Sequence, residues 1–217
     1  MNPNLTEIVF ILDRSGSMAG LEADTVGGFN AMVERQKQED GSAFLSAVLF
    51  SNASEVLYDR VDIRKVEPLT DAQYRVGGCT ALLDAVGDAV QHIKNVHKYA
   101  RSEDRPAKTV FVITTDGMEN ASRRHSYESV QALIRRMREQ YGWEFLFLGA
   151  NIDAISQARR FGISEKRAVR YECDSAGTAL NFDVVGKTIG SFRKGEEICD
   201  SWCEPIARDY DARGKRK

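Results

Sequence analysis

Histidine and cysteine are scarce in this chain, with three of the first and four of the second among 217 residues. His92, His97 and His125 converge on no catalytic pattern, and His92 and His97, on or near a helix face, are expected at the surface. Cys79, Cys173, Cys199 and Cys203 contain no CxxC pair, which argues against a disulfide framework. Cys199 and Cys203 are near enough in sequence to pair or share a metal, but unlinked reduced thiols are the plainer reading. No apolar run approaches a membrane span, and the amino terminus lacks the basic, apolar and small-residue segments of a signal peptide. A cytoplasmic location is therefore expected, and the Asn-x-Ser/Thr triplets at Asn4, Asn52 and Asn120 carry no meaning without secretion. An excess of one charge is missing too: 30 Lys and Arg face 32 Asp and Glu, for a net charge of −2. That balance disfavours binding to DNA or RNA. There is no Gly-x-x-x-x-Gly-Lys-[Ser/Thr] for a P-loop, and Gly16-Ser17-Met18-Ala19-Gly20 is not the Gly-x-Ser-x-Gly of a nucleophile elbow. Neither internal repeats nor low-complexity segments occur.

What is present is an ordinary globular composition, 42% hydrophobic and 29% charged, in a chain of the length of one α/β domain. Its organising stretch is Ile8-Val9-Phe10-Ile11-Leu12-Asp13-Arg14-Ser15-Gly16-Ser17. Five successive apolar residues, rich in β-branched side chains, predict a strand buried on both faces, as a parallel sheet with helices on both sides requires. Asp13, Ser15 and Ser17 follow at every second position, so an extended chain points their oxygens the same way. One carboxylate and two hydroxyls are hard donors that suit Mg²⁺, Mn²⁺ or Ca²⁺ and not zinc or copper. The remaining donors have to come from neighbouring strand ends. Gly77-Gly78-Cys79-Thr80 supplies a hydroxyl just before a helical pattern, and the apolar strand Thr109 to Thr115 ends in Asp116-Gly117. Taken singly these residues also suit turns and caps; Thr80 is a fitting N-cap for a helix beginning at Ala81.

Asp-x-Ser-x-Ser after a first strand, a Thr before a later helix and Thr-Asp-Gly after a fourth strand together resemble the metal-ion-dependent adhesion site of the von Willebrand factor type A domain. The resemblance runs from about Leu5 to about Phe192. It implies that Asp13, Ser15, Ser17, Thr80 and Asp116 are metal ligands, for Mg²⁺ first and Mn²⁺ or Ca²⁺ as alternatives. It also implies a protein partner whose Asp or Glu carboxylate completes the metal's shell, with no catalysis by the domain itself. In intracellular relatives such partners include large ATPase assemblies and metal-resistance or phage-associated systems. Two carboxylates and three neutral hydroxyls fit that role, because they leave a cation Lewis acidity and an open position.

Two other readings stand beside it. Strand-Asp13-Arg14-Ser15 resembles the start of a haloacid-dehalogenase-type phosphotransferase, with Asp13 as nucleophile, but Ser15 occupies the place of its second Asp. A metal-free scaffold would predict replaced ligands, and none is replaced. Around the five residues, Arg14 is placed to attract a partner carboxylate and Glu119 and Asp153 to repel one; Met118, Asn120 and Asn151 lie in the same loops. All six are equally readable as solvated loop residues.

Along the chain, strand and helix patterns alternate. A helix is predicted over Leu21–Gln38, ended by Asp40-Gly41. Ala43–Phe50 and Glu55–Val61 form an antiparallel hairpin around Ser51-Asn52-Ala53. A helix begins at Leu82, a polar loop covers 101–106, and Ser126 caps a helix closed by Tyr141-Gly142. Strand Trp143–Leu148, helix Ala154–Phe161, short strand Ala168–Tyr171 and helix Ser175–Phe192 complete the set. The fold class is α/β: a doubly wound, mostly parallel, Rossmann-like sheet of six strands with helices on both faces and one antiparallel edge strand. Residues 1–193 form this domain, and 194–217 is expected to be a polar, basic-ended tail, a solubilising and partly disordered end in preference to a docking arm.

Overall fold

The computed structural model describes residues 1–150 and 152–214. Six strands form one sheet in the order β3-β2-β1-β4-β5-β6, with β1 (Asn2–Asp13), β2 (Ser42–Phe50), β3 (Ser54–Asp62), β4 (Pro106–Thr115), β5 (Glu144–Ala150) and β6 (Ala168–Tyr171). β1 runs parallel to β2 and β4, β5 is parallel to β4 and β6, and β3 alone is antiparallel, against β2. The doubly wound fold and its antiparallel edge are as the residue patterns predict.

Strand parity assigns the two cores. Ile8, Phe10 and Leu12 of β1 join Val110 and Val112 of β4 in a core with Phe29, Phe182 and Ile189. These helical residues come from α1 (Glu22–Lys37) and α5 (Ser175–Lys194). Val9, Ile11, Phe111 and Ile113 point the other way and pack with Val86, Ile134 and Ala158, from α2 (Leu82–Tyr99), α3 (Tyr127–Tyr141) and α4 (Ala154–Arg160). A strand with both faces covered has to be apolar at every position, which is why the runs carry no polar alternation. No helix among the described residues is long and apolar enough to cross a membrane.

α1 meets α5 closely at Gly28, where an added Cβ would lie 2.4 Å from the Phe182 ring. Gly28→Ala is therefore expected to cost about 2 kcal/mol of unfolding free energy through overpacking. Urea denaturation checks this, and an unchanged midpoint would mean the helices separate freely.

Two expectations fail. His97 is not at the surface: it is 7% exposed, its Nε2 lies 3.1 Å from Glu7 Oε2, and its ring meets Trp143 edge-on. The spacing Val86, Val90, Ile93, His97 places it on the inward stripe of α2, so the helical period decided against the polarity of the side chain. The residues after Gly195 are not a solvated tail either. Ile198, Trp202 and Ile206, four apart, are buried and join the α5 core, the last of them on a sixth helix, α6 (Glu204–Gly214). Trp202 Nε1 donates to the Lys166 carbonyl at 2.9 Å, and Arg213 pairs with Asp174 at 2.5 Å. Burial of three large apolar side chains outweighs the charged residues between them. Lys215 to Lys217 lie outside the described residues. Cys199 and Cys203 are unlinked thiols.

Candidate metal centre

The carboxyl ends of β1 and β4 are neighbours, with Leu12 opposite Thr114, so the residues that follow each strand come out side by side. Asp13, the last residue of β1, is 1% exposed. Its Oδ1 accepts the Ser15 N–H at 2.7 Å, its Oδ2 accepts the Thr115 hydroxyl at 2.6 Å, and its carbonyl accepts the buried Tyr74 hydroxyl. The chain does not stay extended beyond it. Gly16–Met18 form a single 3₁₀ turn, and this turn rather than strand alternation brings Ser15 Oγ to 3.1 Å from Ser17 Oγ. Ser17 Oγ in turn donates to Asp116 Oδ1 at 2.5 Å.

Thr80 closes the group from a third segment. A Cβ built on Gly117 would lie 2.9 Å from Thr80 Oγ1 and 3.4 Å from Ser17 Oγ, so only glycine at 117 leaves the space between these hydroxyls open. All five side chains thus gather at one pole of the sheet. Backbone bonds tie the loops together: Gly16 N–H to the Gly78 carbonyl at 3.0 Å, Gly77 N–H to the Arg14 carbonyl at 2.9 Å and Asn120 N–H to the Thr80 carbonyl at 3.0 Å. Asn120 Oδ1 accepts the Thr80 N–H at 2.8 Å.

Thr80 does not cap α2. Glu119 does, accepting the Leu83 N–H at 2.7 Å together with those of Ala121 and Ser122, while Ser122 Oγ accepts the Asp84 N–H at 3.0 Å. Asp84 returns the contact by accepting the N–H groups of Arg123, Arg124 and His125, each at 2.9 Å. Glu119 is therefore engaged internally rather than turned toward a partner. No spacing in the sequence signals that Glu119 caps α2 or that Asp84 holds the 123–125 turn, because Leu83 and the Arg123–His125 amides lie 36 to 41 residues from their acceptors. Arg14 pairs with Glu55 at 2.7 Å. Asp153 caps α4 and pairs with Arg170 at 2.8 Å. Met118 is 63% exposed beside the site. Asn151 lies outside the described residues.

The charge balance of the site is unusual. Asp13 and Asp116, 1% and 3% exposed, form no ion pair with a basic side chain among the described residues. Burial pushes both carboxyls above their ordinary range, against the hydrogen bonds from Thr115 and Ser15 on Asp13 and from Ser17 on Asp116; the Asp116 charge raises Asp13 further. Two buried carboxylates and three hydroxyls without a counter-charge fit a hard divalent cation. Among the described residues, no group of three or more His, Cys, Asp or Glu side chains is arranged to hold a metal.

The family model of the von Willebrand factor type A domain matches residues 7–181. The chain belongs to this family. No curated protein sequence matches it, but solved structures share its fold. Proximal thread matrix protein 1 from the mussel byssus, with a zinc-occupied adhesion-site motif, is 19% identical at a TM-score of 0.58, over 85% of this chain and 46% of that one. A von Willebrand factor type A protein from Catenulispora acidiphila is 16% identical at a TM-score of 0.56, over 84% and 42%. The pilus adhesin SpaC from Lactobacillus rhamnosus GG is 11% identical at a TM-score of 0.65, over 88% and 30%. The type A domain described here thus spans less than half of each of these chains, and at such identities the likeness is one of fold.

Proposed function

We propose that this von Willebrand type A domain is a divalent-cation-dependent protein-binding module. The observation that carries the reading is the pair of buried carboxylates, Asp13 and Asp116, left without a counter-charge among the described residues and gathered with three hydroxyls at the carboxyl ends of adjacent strands. Asp13, Ser15, Ser17, Thr80 and Asp116 are the residues that would hold the cation. A bound cation supplies a Lewis-acidic coordination position, and a partner's Asp or Glu carboxylate is the ligand that suits it. The zinc reported in the mussel protein supports a divalent ion at this kind of site, while the all-oxygen donor set here favours Mg²⁺, with Mn²⁺ or Ca²⁺ as alternatives. The exposed Met118 adds an apolar contact beside the position a partner carboxylate would reach. An ATPase assembly is one class of protein that such a module would serve.

Calorimetric titration of Mg²⁺, Mn²⁺ and Ca²⁺ into chelator-treated protein tests the reading. Saturable one-to-one binding is expected, together with capture of the protein on immobilised Asp- or Glu-terminated peptides that EDTA reverses. If none of the three ions binds, the proposal loses its mechanism.

A further inference from the structure

The pole opposite the five-residue site carries a concave feature, independent of the metal reading. β4 runs from Pro106 to Thr115, so the two poles are separated by roughly 30 Å at about 3.3 Å per residue. Where β4 and β5 begin and α2 and α3 end, a cavity of about 420 Å³ opens. Its wall includes four basic side chains, Lys94, Lys98, Arg105 and Arg136, and two aromatic ones, Tyr141 and Trp143. Among the described residues, no acidic side chain lines it.

The four cations are uncompensated. Lys94 Nζ donates to Gln91 at 3.3 Å, Arg136 Nε to Gln140 at 3.0 Å, and Arg105 to the Ala100 carbonyl at 3.4 Å. Lys98 Nζ sits 5.0 Å from the centroid of the Tyr99 ring. Each contact is to a neutral group, and none of the four makes an ion pair among the described residues. Arg105 Nε is buried with no hydrogen-bond partner, a state that costs free energy unless something accepts from it. A basic side chain in a helix's last turn is commonly explained by the helix dipole. That accounts for Lys98 at the end of α2. It does not account for Lys94 or Arg136, which stand further from their helix ends, or for Arg105 in a loop. His97 also borders the cavity, but its Nε2 is committed to Glu7.

The aromatic wall gives the cavity a second character. Tyr141 is 51% exposed, and its ring lies 6.4 Å from Trp143 at an angle of 47°. Trp143 is 5% exposed and backed by Phe111 in a near-parallel stack, so it is a rigid support beside the Tyr141 ring. Cations that line one cavity suit phosphate oxygens, and an exposed aromatic ring offers a stacking face to a planar base. The volume falls within the roughly 300–1,000 Å³ of small-molecule sites.

From this juxtaposition of four unpaired cations and an aromatic wall in one cavity, we infer a binding site for a nucleoside di- or triphosphate. Lys94, Lys98, Arg105 and Arg136 contact the phosphates, and Tyr141 takes the base. The site is remote from Asp13, so it does not depend on metal binding there.

The test is calorimetric titration of ADP, ATP, adenosine and inorganic tripolyphosphate into the full chain, in EDTA to silence any metal-bridged contact. ATP and ADP are expected to bind one-to-one, with binding weakening as salt is raised. Lys94→Glu with Arg136→Glu, both at half-buried or exposed positions, is expected to weaken ATP by about tenfold or more, equivalent to roughly 1.4 kcal/mol. Lys98→Glu provides a milder variant should the double one lose its circular dichroism. Asp13→Ala is expected to bind ATP as the wild type does. Absence of saturable ATP binding, or binding that neither variant weakens, overturns the site. Equal affinity for tripolyphosphate and ATP overturns the stacking wall, and with it the nucleotide assignment.

Discussion

In chelator-treated protein, Asp13→Asn is expected to raise the thermal midpoint by a few degrees, and in saturating Mg²⁺ the order is expected to reverse. The metal-free gain follows from burial. Asp13 is shut away from water beside a second buried carboxylate, and both are pushed toward the protonated form. An ionised Asp13 therefore costs folding free energy at neutral pH. Asparagine removes that charge at nearly constant shape. Its Oδ1 keeps the Ser15 N–H bond, and its Nδ2 faces the Thr115 hydroxyl, which is also 3.1 Å from the Gly117 carbonyl and can turn to donate there. The same substitution removes one of the two carboxylates of the proposed cation site. Mg²⁺ at a hundred times its dissociation constant is expected to stabilise the wild type by about 2.7 kcal/mol, or roughly 5–10 °C for a chain of this size. Asp13→Asn is expected to show almost none of this, with affinity reduced by roughly a hundredfold or more, about 3 kcal/mol. Thermal scans of both proteins with and without Mg²⁺ read both signs at once. If Mg²⁺ protects Asp13→Asn as well as the wild type, the cation binds elsewhere.

Asp84→Ala is expected to cost about 3 kcal/mol of unfolding free energy, a large share of the 5–15 kcal/mol typical of a domain. Burial alone would raise the Asp84 carboxyl, but the backbone N–H groups of Arg123, His125 and Arg124 outweigh it and hold the group below the ordinary carboxylate range. Removing the side chain leaves three donors without their acceptor at the turn between the Asp116 loop and α3. Asp84→Asn keeps one acceptor oxygen and is expected to lose about half as much. A carboxyl depressed by folding contributes stability that is present above its unfolded value of about 4 and is lost as the pH falls through the lower folded value. The gap between the wild type and Asp84→Asn in urea denaturation is therefore expected to be widest near neutral pH and to close in acid. A loss under roughly 0.5 kcal/mol for Asp84→Ala would mean that water replaces the carboxylate at all three donors.

Much of the architecture was legible because it is local. The apolar runs Ile8–Leu12 and Val110–Ile113 carry no polar alternation, and burial on both faces is the only arrangement in which such strands are stable. The hairpin around Ser51-Asn52-Ala53 has the length of a tight connection, and β3 is the antiparallel edge it implies. Strand ends followed by Asp13, Ser15 and Ser17 and by Asp116, with Thr80 before a helix, already named the five side chains that the fold gathers. Their convergence is less legible in its means, since a 3₁₀ turn and the missing side chain of Gly117 bring the oxygens together where residue alternation predicts an extended chain.

What the sequence by itself determined is thus the set of periodic elements, the faces the strands bury and the residue types at their carboxyl ends, all of which depend on neighbours within a few positions. Tertiary structure alone decided the rest. Glu7 meets His97 across 90 residues, Asp84 receives donors 39 to 41 residues away, and Ile198, Trp202 and Ile206 find their apolar contacts on elements that precede them. The basic side chains of the distal cavity likewise come from α2, α3 and the loop before β4. In each case the residue or its surrounding segment is read locally as solvent-facing, and only packing between distant segments establishes what surrounds it.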